Sequence, residues 1–432
     1  MKLLLTGARV IDPAQKIDSR LDVLLENGKI AKTGPHLAKS TRSKDTEKIT
    51  ELIDLEGMIL VPGLIDMHTH LREPGYEYKE TIATGVTAAV TGGFTSIACM
   101  PNTNPINDNR ATTEFIRRKA AEVALANVYP VGAISRNSEG SQLTEFWDLK
   151  EAGIVALSDD GKPVMNAGLM RRAMEYAHSL QLPIISHCED IHLSANGVMN
   201  EGYYSTILGL NGIPAIAEEA MIARDILIAE FTKTAVHIAH VSTAGSVRLI
   251  RDAKARGLKV TAETAPHYFT LKDESLQSYD TNFKVNPPLR TEQDVHAIKE
   301  GLADGTIDAI ACDHAPHGRT DKEVEFEYAA NGISGLETSL GLSLNLIHSK
   351  ILTWPELIAR MSLNPARILN LPKGTLVTGA DADITVIDPL RPWTVDVQTF
   401  RSRGKNSPFN GRQMQGKVIL TIVGGEIKYD GR

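Results

Sequence analysis

The sequence predicts an α/β fold: a (β/α)8 TIM barrel with a small β-sandwich domain built from both chain ends. Three observations carry this. Eight short apolar runs alternate with helix-like stretches through the middle, both ends are β-rich, and polar residues gather at the C-terminal ends of the runs. The N-terminal end opens with LLLTGARVID and LDVLLENGKIAKTG, apolar runs closed by Asp, Asn and Gly, in which Asn27-Gly28 is a strong hairpin turn. The tail repeats the texture in DADITVIDP and GKVILTIVGGEIKYDG, with Gly424-Gly425 at the bend. Each end has too few strands to bury its own apolar face. The expectation is therefore one sandwich, formed by residues 1–60 and 371–432, beside a barrel of residues 61–370.

The barrel runs are GLIDMH (63–68), FTSIACM (94–100), NVYPVGAI (127–134), GIVALSD (153–159), LPIISH (182–187), AVHIAH (235–240), LKVTAE (258–263) and DAIACD (308–313). The stretches between them carry helix signals. In STAGSVRLIRDAKARG, Val247, Ile250 and Ala253 recur at a spacing of three and Gly257 supplies the stop. The stretch VDVQTFRSRGKNSPFNGR has the weakest structure signal and is expected to be an ordered surface loop.

Composition narrows the function classes. The 432 residues hold 46 Lys and Arg against 53 Asp and Glu, a formal charge of −7, with no basic block or aromatic-interleaved basic stripe, so nucleic acid is excluded as a partner. MKLLLTGARV has three consecutive leucines, too few for a signal segment, and no run approaches the ~18 apolar residues of a membrane span. A cytoplasmic protein with no membrane partner is expected. Cys99, Cys188 and Cys312 are odd in number, widely spaced and set in apolar segments, which suits buried reduced thiols.

GLIDMHTHLREPG places His68 and His70 two apart at the end of the first barrel run. Strand side chains alternate faces, so both imidazoles can converge on one point in the barrel mouth. Any one of these histidines alone would suit a hydrogen-bonded core. Joined by His187 in SHCED, His240 in AHVST and Asp313 in CDHAPH, at the ends of runs five, six and eight, they point to metal. Four histidines and an aspartate exceed one tetrahedral zinc with an open position, so two metals fit better, and a two-metal site needs a bridging anion across ~3.5 to 4 Å. Asp159-Asp160-Gly161 ends run four: one carboxylate can bridge while the other caps a turn, and the residues alone do not choose. Arg72, two past His70 and on the same face if the strand continues, offers a planar fork for a carboxylate.

The HTH, SDDG, HCED, HVST and CDHAPH motifs in this order, on a barrel with β-rich flanks, resemble the amidohydrolase superfamily; DMHTHLREPG, MPNTNP and KVNPPLR resemble its bacterial class I dihydroorotases, and the match spans nearly the whole chain. The resemblance implies reversible cyclisation of N-carbamoyl-L-aspartate to L-dihydroorotate, a step in pyrimidine (UMP) synthesis, at a centre of two Zn2+ per chain. Carried over by position, one zinc takes His68, His70 and Asp313 and the other His187 and His240. Spacing in the family pattern favours Asp160 over Asp159 as the bridge. Relatives that use a carbamylated lysine there differ from this chain, since Lys150 comes too early and Lys162 lies beyond the turn. Asp313 is the implied catalytic proton shuttle. Asn102 and His317 are implied to join Arg72 on the substrate carboxylate and Asn286 to meet the ring edge, with Asn331 and Gly332 as further substrate-binding residues. The loop Ala330-Asn331-Gly332-Ile333 departs from the Pro-Phe common in the family before Gly-Ile, and no role is assigned to His267 in TAPHY.

Two other readings compete. Another cyclic amide hydrolase, a hydantoinase or an allantoinase, is opposed by the Asp-Asp pair in place of a lysine and by the Arg72 fork. An inactive scaffold for aspartate carbamoyltransferase is opposed by six filled ligand positions. An active enzyme is still compatible with binding that transferase, and a homo-oligomer is expected.

Overall fold

The computed structural model describes residues 2–37 and 51–432. Strands β1 (Lys2–Asp12), β2 (Ile17–Glu26), β3 (Lys29–Gly34), β4 (Glu51–Asp54) and β5 (Ile59–Pro62) form the N-terminal end. The barrel follows with β6 (Leu64–Thr69), β7 (Phe94–Cys99), β8 (Asn127–Gly132), β9 (Ala156–Leu157) and β10 (Ile185–Ser186). A short parallel pair, β11 (Met199–Asn200) and β12 (Gly212–Ile213), interrupts it. The barrel resumes with β13 (Val236–Ile238), β14 (Val260–Thr264) and β15 (Ala309–Ile310), and the chain ends in β16 (Ile384–Thr394), β17 (Gln413–Val423) and β18 (Glu426–Asp430).

The eight expected runs are the eight barrel strands. They pair in parallel as β6-β7-β8-β9 and β10-β13-β14-β15, and the parallel bridges Leu157 to Ile184 and Thr69 to His314 join the two halves into a closed ring. All six residues of β7 are buried, as a parallel strand covered on both faces requires. Each strand leads to a helix of the outer layer, from Ile82–Thr91 after β6 to Ser339–His348 after β15. The helix Ala244–Ala255 shows why. Thr243 caps it by accepting from the Ser246 N–H, Val247, Ile250 and Ala253 bury its inner face, and Gly257 at φ +79° turns the chain away. Asp66 ties the first strand to the last, its carboxylate accepting from His68 N at 3.0 Å and Cys312 N at 2.9 Å.

Strands from both ends share one sheet in the order β18-β17-β16-β5-β1-β2-β3, with β4 on the edge of β1. The join is β5 against β16, antiparallel from Pro62–Ile384 to Ile59–Ile387. Leu3, Val10, Val23 and Leu60 from one end and Leu376, Ile384 and Leu420 from the other fill one apolar core. Both hairpin turns lie where expected, with Asn27 and Gly28 at φ +50° and +76° and Gly424 and Gly425 at +56° and +80°.

The segment expected to be a surface loop is different. After a short 3-10 turn at Val397–Thr399 it crosses the barrel mouth and buries Phe400, Ser402, Asn406, Ser407 and Phe409. Asn406 is its anchor: the side-chain oxygen accepts from His317 N and Ser334 Oγ, both at 2.9 Å, while Nδ2 donates to Ala315 O at 3.0 Å and Gly332 O at 2.9 Å. Isolated buried residues fixed by side-chain-to-backbone bonds have no periodicity to read. Replacing Asn406 by Ala orphans buried backbone groups and should destabilise the fold by about 2 to 4 kcal/mol in urea unfolding. An unchanged midpoint would mean that the segment is not anchored there.

Candidate metal centre

The six proposed ligand positions meet at the C-terminal mouth of the barrel. His68 lies on β6 and His70 just past it; Asp160, His187, His240 and Asp313 follow β9, β10, β13 and β15. Asp160 sits between two histidine pairs. Its Oδ1 is 3.2 Å from His68 Nε2, 3.7 Å from His187 Nδ1 and 3.6 Å from His240 Nε2, and its Oδ2 is 3.5 Å from His70 Nε2. The donor atoms form two overlapping groups, His68-His70-Asp160 and Asp160-His187-His240, each within 4.8 Å. Asp313 Oδ1 stands 3.1 Å from His70 Nε2 and 3.7 Å from His68 Nε2. Asp159 turns away, accepting from Ser135 N at 3.0 Å and from Ser135 Oγ.

The outer nitrogens of three imidazoles are occupied. His68 Nδ1 faces Glu263 Oε1 at 2.6 Å, His70 Nδ1 faces Asn102 Oδ1 at 2.9 Å, and His187 Nε2 faces Glu189 Oε2 at 3.1 Å. Each acceptor holds the proton on the outer nitrogen and aims the other lone pair at the centre, the arrangement that metal-binding histidines use. Glu263 and Glu189 were missed from sequence. Glu263 ends the seventh run and Glu189 lies inside SHCED, so position at a strand terminus was the available signal.

Inside the centre, His68 Nε2 and Asp160 Oδ1 are buried without a hydrogen-bond partner. Two electron-rich atoms 3.2 Å apart require a proton or a metal cation between them. The charges agree. Burial would raise the Asp160 carboxyl, but the facing His68, His187 and His240 outweigh it and hold it well below the usual range. Burial would likewise depress His68, and the Asp160 and Glu263 charges push it well up instead. The donor set thus fits a metal.

The other wall of the pocket is cationic. His70, Arg72, Asn102, Asp160, His187, His240, Asn286, Asp313, His317, Asn331 and Gly332 all line one cavity of about 180 Å³. That is below the ~300 to 1,000 Å³ of drug-sized sites, so its occupant is small. Arg72 reaches it by another route than the one expected: β6 stops at Thr69, and Arg72 sits in a loop at φ +63°. Its Nε donates to Pro316 O at 3.2 Å, and among the described residues no carboxylate pairs with it. His240 at φ +34° and Asp313 at φ +48° are also left-handed, strain of the kind that over-determined sites hold. Gly332, at φ +136°, has no room for a side chain, since a Cβ would lie 2.4 Å from that of Ala315. His267 is buried against Tyr268 and does not line the cavity.

Comparison with known proteins gives the relatives of the chain. The chain matches the family described as Dihydro-orotase-like over residues 57–246 and the Amidohydrolase family over residues 212–429. It is 64% identical over 429 residues to the Dihydroorotase of Syntrophus aciditrophicus (strain SB), covering 99% of each chain. It is 57% identical to that of Geobacter metallireducens (strain ATCC 53774 / DSM 7210 / GS-15), covering 99% of this chain and 100% of the relative. Among solved structures, the L-hydantoinase (dihydropyrimidinase) from Arthrobacter aurescens superposes with a TM-score of 0.89 at 25% identity, over 99% of this chain and 96% of that one.

Asp160→Ala should lose at least one equivalent of bound metal, since the shared carboxylate belongs to both donor groups, whereas Asp159→Ala should lose less. Metal analysis of the two purified variants decides, and the reverse order would exclude Asp160 as the bridge.

Proposed function

The chain belongs to the dihydroorotase family of the amidohydrolase superfamily, and we propose that its pocket interconverts N-carbamoyl-L-aspartate and L-dihydroorotate in pyrimidine (UMP) synthesis. The observation that carries this reading is Arg72: a guanidinium without a carboxylate partner among the described residues faces the same small cavity as the histidine and aspartate centre. Both substrate and product bring a carboxylate that does not react. Hydantoin and allantoin have none at that position, and the hydantoinase neighbour shares the fold at far lower identity than the dihydroorotases.

In this reading His68, His70 and Asp313 would hold one Zn2+ and His187 and His240 a second, and the Asp160 carboxylate lies within reach of both groups. The metals supply Lewis acidity toward the scissile carbonyl and toward water. The protein's own groups do the rest. Arg72 offers two parallel N–H bonds to the spectator carboxylate. Asn102 spends its oxygen on His70, which leaves its amide N–H groups for the same anion. Asn286 donates to Glu189 Oε2 at 2.8 Å, which leaves its oxygen to accept a ring N–H. Asp313, whose Oδ1 stands 3.1 Å from His70 Nε2 and 3.7 Å from His68 Nε2 at the cavity wall, is placed to take the proton of the attacking water and return it to the departing amide nitrogen. In the closing direction it takes the proton of the ureido nitrogen. Asn331 and Gly332 line the same cavity, and Gly332 has no room for a side chain there.

The same proposal includes a cytoplasmic location and self-association. Cys99, Cys188 and Cys312 are free and buried, and no helix among the described residues is long and apolar enough to cross a membrane. Leu227 and Phe231, one turn apart on the helix Ile216–Thr232, are 62% and 69% exposed, a face suited to a second copy. Sedimentation equilibrium tests this, and a monomer at micromolar concentration would refute it.

Truncating one partner of a buried charge-assisted pair typically costs ~2 to 5 kcal/mol. Arg72→Met should therefore lower kcat/KM for dihydroorotate by roughly thirty-fold or more, chiefly through KM, at ~1.4 kcal/mol per decade. Metal content and any activity on uncharged cyclic amides should hardly change. Equal losses on charged and uncharged substrates would defeat the carboxylate reading. Asp313→Asn should keep the fold and lose turnover; rates near those of the parent would remove Asp313 as proton carrier.

A further inference from the structure

Lys79 lies in the turn after Arg72, its side chain 14% exposed beneath Tyr76 and Tyr78, whose ring centres are 5.7 and 5.4 Å from its Nζ. The ammonium makes two polar contacts, both at 3.2 Å: one to Asp321 Oδ1 and one to His317 Nδ1. An ammonium has no lone pair, so His317 Nδ1 must be the acceptor. The imidazole proton is then on Nε2, which lies 2.8 Å from Asn331 O and donates to it. Arg72 Nη2 is 3.2 Å from the same Nε2. With both nitrogens bearing hydrogen that contact is not a hydrogen bond, so the Arg72 donor stays available to an anion.

Without Lys79, His317 would have a different neighbour, because Asp321 Oδ2 is 3.9 Å from Nδ1. Asp321 is held off by its other bonds, accepting from Gly318 N at 2.9 Å and Tyr78 OH at 3.3 Å besides the Lys79 contact. The remaining charges around the ring are Arg72 on one side and Lys322 on the other, the latter brought down to about 7 by burial and the Lys284 charge, while Arg403, Lys405 and the Arg319–Glu323 pair border the outer cavity that His317 also lines. Burial first, then the Arg72, Lys79 and Lys322 charges, pushes the imidazole down to about 2.

We propose that Lys79 is a positioning residue that keeps His317 a neutral, Nε2-protonated donor by occupying Nδ1 and drawing the Asp321 carboxylate to itself, so that the grip on the substrate carboxylate does not change charge across neutral pH. This rests on the reading of Arg72 and His317 as that grip. On binding, the Nε2–H exchanges the Asn331 carbonyl for the substrate oxygen without moving a proton.

The sign of the effect follows from the two groups that change. Lys79→Met removes a cation and frees a carboxylate, and both favour protonated His317. The variant should show His317 as an imidazolium at the acid end and neutral at the alkaline end.

Long-range 15N–1H spectra of the zinc-loaded enzyme labelled at histidine nitrogen, with His317 assigned through His317→Asn, should show the Nε2–H tautomer unchanged from pH 5.5 to 8. In Lys79→Met the signals should titrate. KM for dihydroorotate should be about tenfold higher at pH 8 and approach the parent value at pH 5.5, with kcat within about twofold. Lys79→Arg should restore a flat profile, and adding Asp321→Asn to Lys79→Met should remove the titration. A parent His317 that is protonated on Nδ1 or titrates in this range overturns the proposal. So does a Lys79→Met profile parallel to the parent while Arg72→Met still raises KM. If Arg72→Met leaves KM unaltered, the carboxylate grip itself is wrong, a failure distinct from that of Lys79.

Discussion

The buried carboxylate of Asp160, shared by two pairs of imidazoles, sets the terms for the rest of the structure. Burying a charge among unpaired polar atoms is costly unless opposite charge is fixed beside it. Four histidines from three strand ends meet that demand only if their rings are held in one orientation, and the outer contacts to Glu263, Asn102 and Glu189 do so. Glu263 is itself backed by His237, whose Nε2 is 3.3 Å from its second oxygen. Burial would raise the Glu263 carboxyl, and the facing His68 and His237 bring it down to about 2, so it stays an acceptor. The barrel suits this because each strand is fixed by parallel neighbours on both sides, and strained residues such as His240 and Asp313 can be held at its rim.

The pocket is built from two kinds of support. Its metal-type half stands on strand ends, whereas its cationic half stands on loops: Arg72 after β6, Asn102 after β7, and His317, Asn331 and Gly332 after β15. Loops are where specificity can change without loss of the fold, and these are tied down from outside the barrel. Asn406 bonds Ala315, His317, Gly332 and Ser334 together, and Ser402 Oγ and Arg403 N reach Glu80, which also faces His314. The C-terminal segment that returns to the shared sheet thus also sets the carboxylate wall.

How much of this was legible in the sequence depends on the kind of signal each residue leaves. The eight strands and both hairpin turns were readable, because parallel interior strands are continuous apolar runs and Asn-Gly or Gly-Gly turns answer to backbone geometry. The histidines were readable as a set, since imidazoles at several strand ends have few bland explanations. Arg72 was placed in the pocket for a reason that fails: strand alternation ends at Thr69, and a left-handed residue aims the guanidinium instead. Glu263, Glu189 and Lys79 were passed over because a lone carboxylate or lysine in sequence looks like a solvated one. Position near a strand terminus marked the two glutamates without giving their task, and the three-dimensional neighbour, His68, His187 or His317, reveals the job. Choosing Asp160 over Asp159 as the proposed bridge required family spacing, and the Ser135 contacts that occupy Asp159 are the physical feature that supports it.

On the proposed reaction the two ends of the substrate differ in how their charge behaves. N-carbamoyl-L-aspartate carries two carboxylates, and ring closure turns one of them into an amide carbonyl with uptake of a proton and loss of water, so the product keeps a single negative charge. The reacting end therefore needs a site that tolerates both an anion and a neutral carbonyl, which the Asp160 centre and Asp313 are placed to provide. The spectator end never changes charge, and its site should not either. Arg72 meets that condition because a guanidinium stays protonated at any pH that the fold survives. His317 would break it, as an imidazole is the side chain whose charge shifts most readily near neutrality. With an ammonium on its far nitrogen it becomes a fixed dipole instead of a switch. The pH dependence of the chemistry is then left to the end of the molecule where bonds are made and broken.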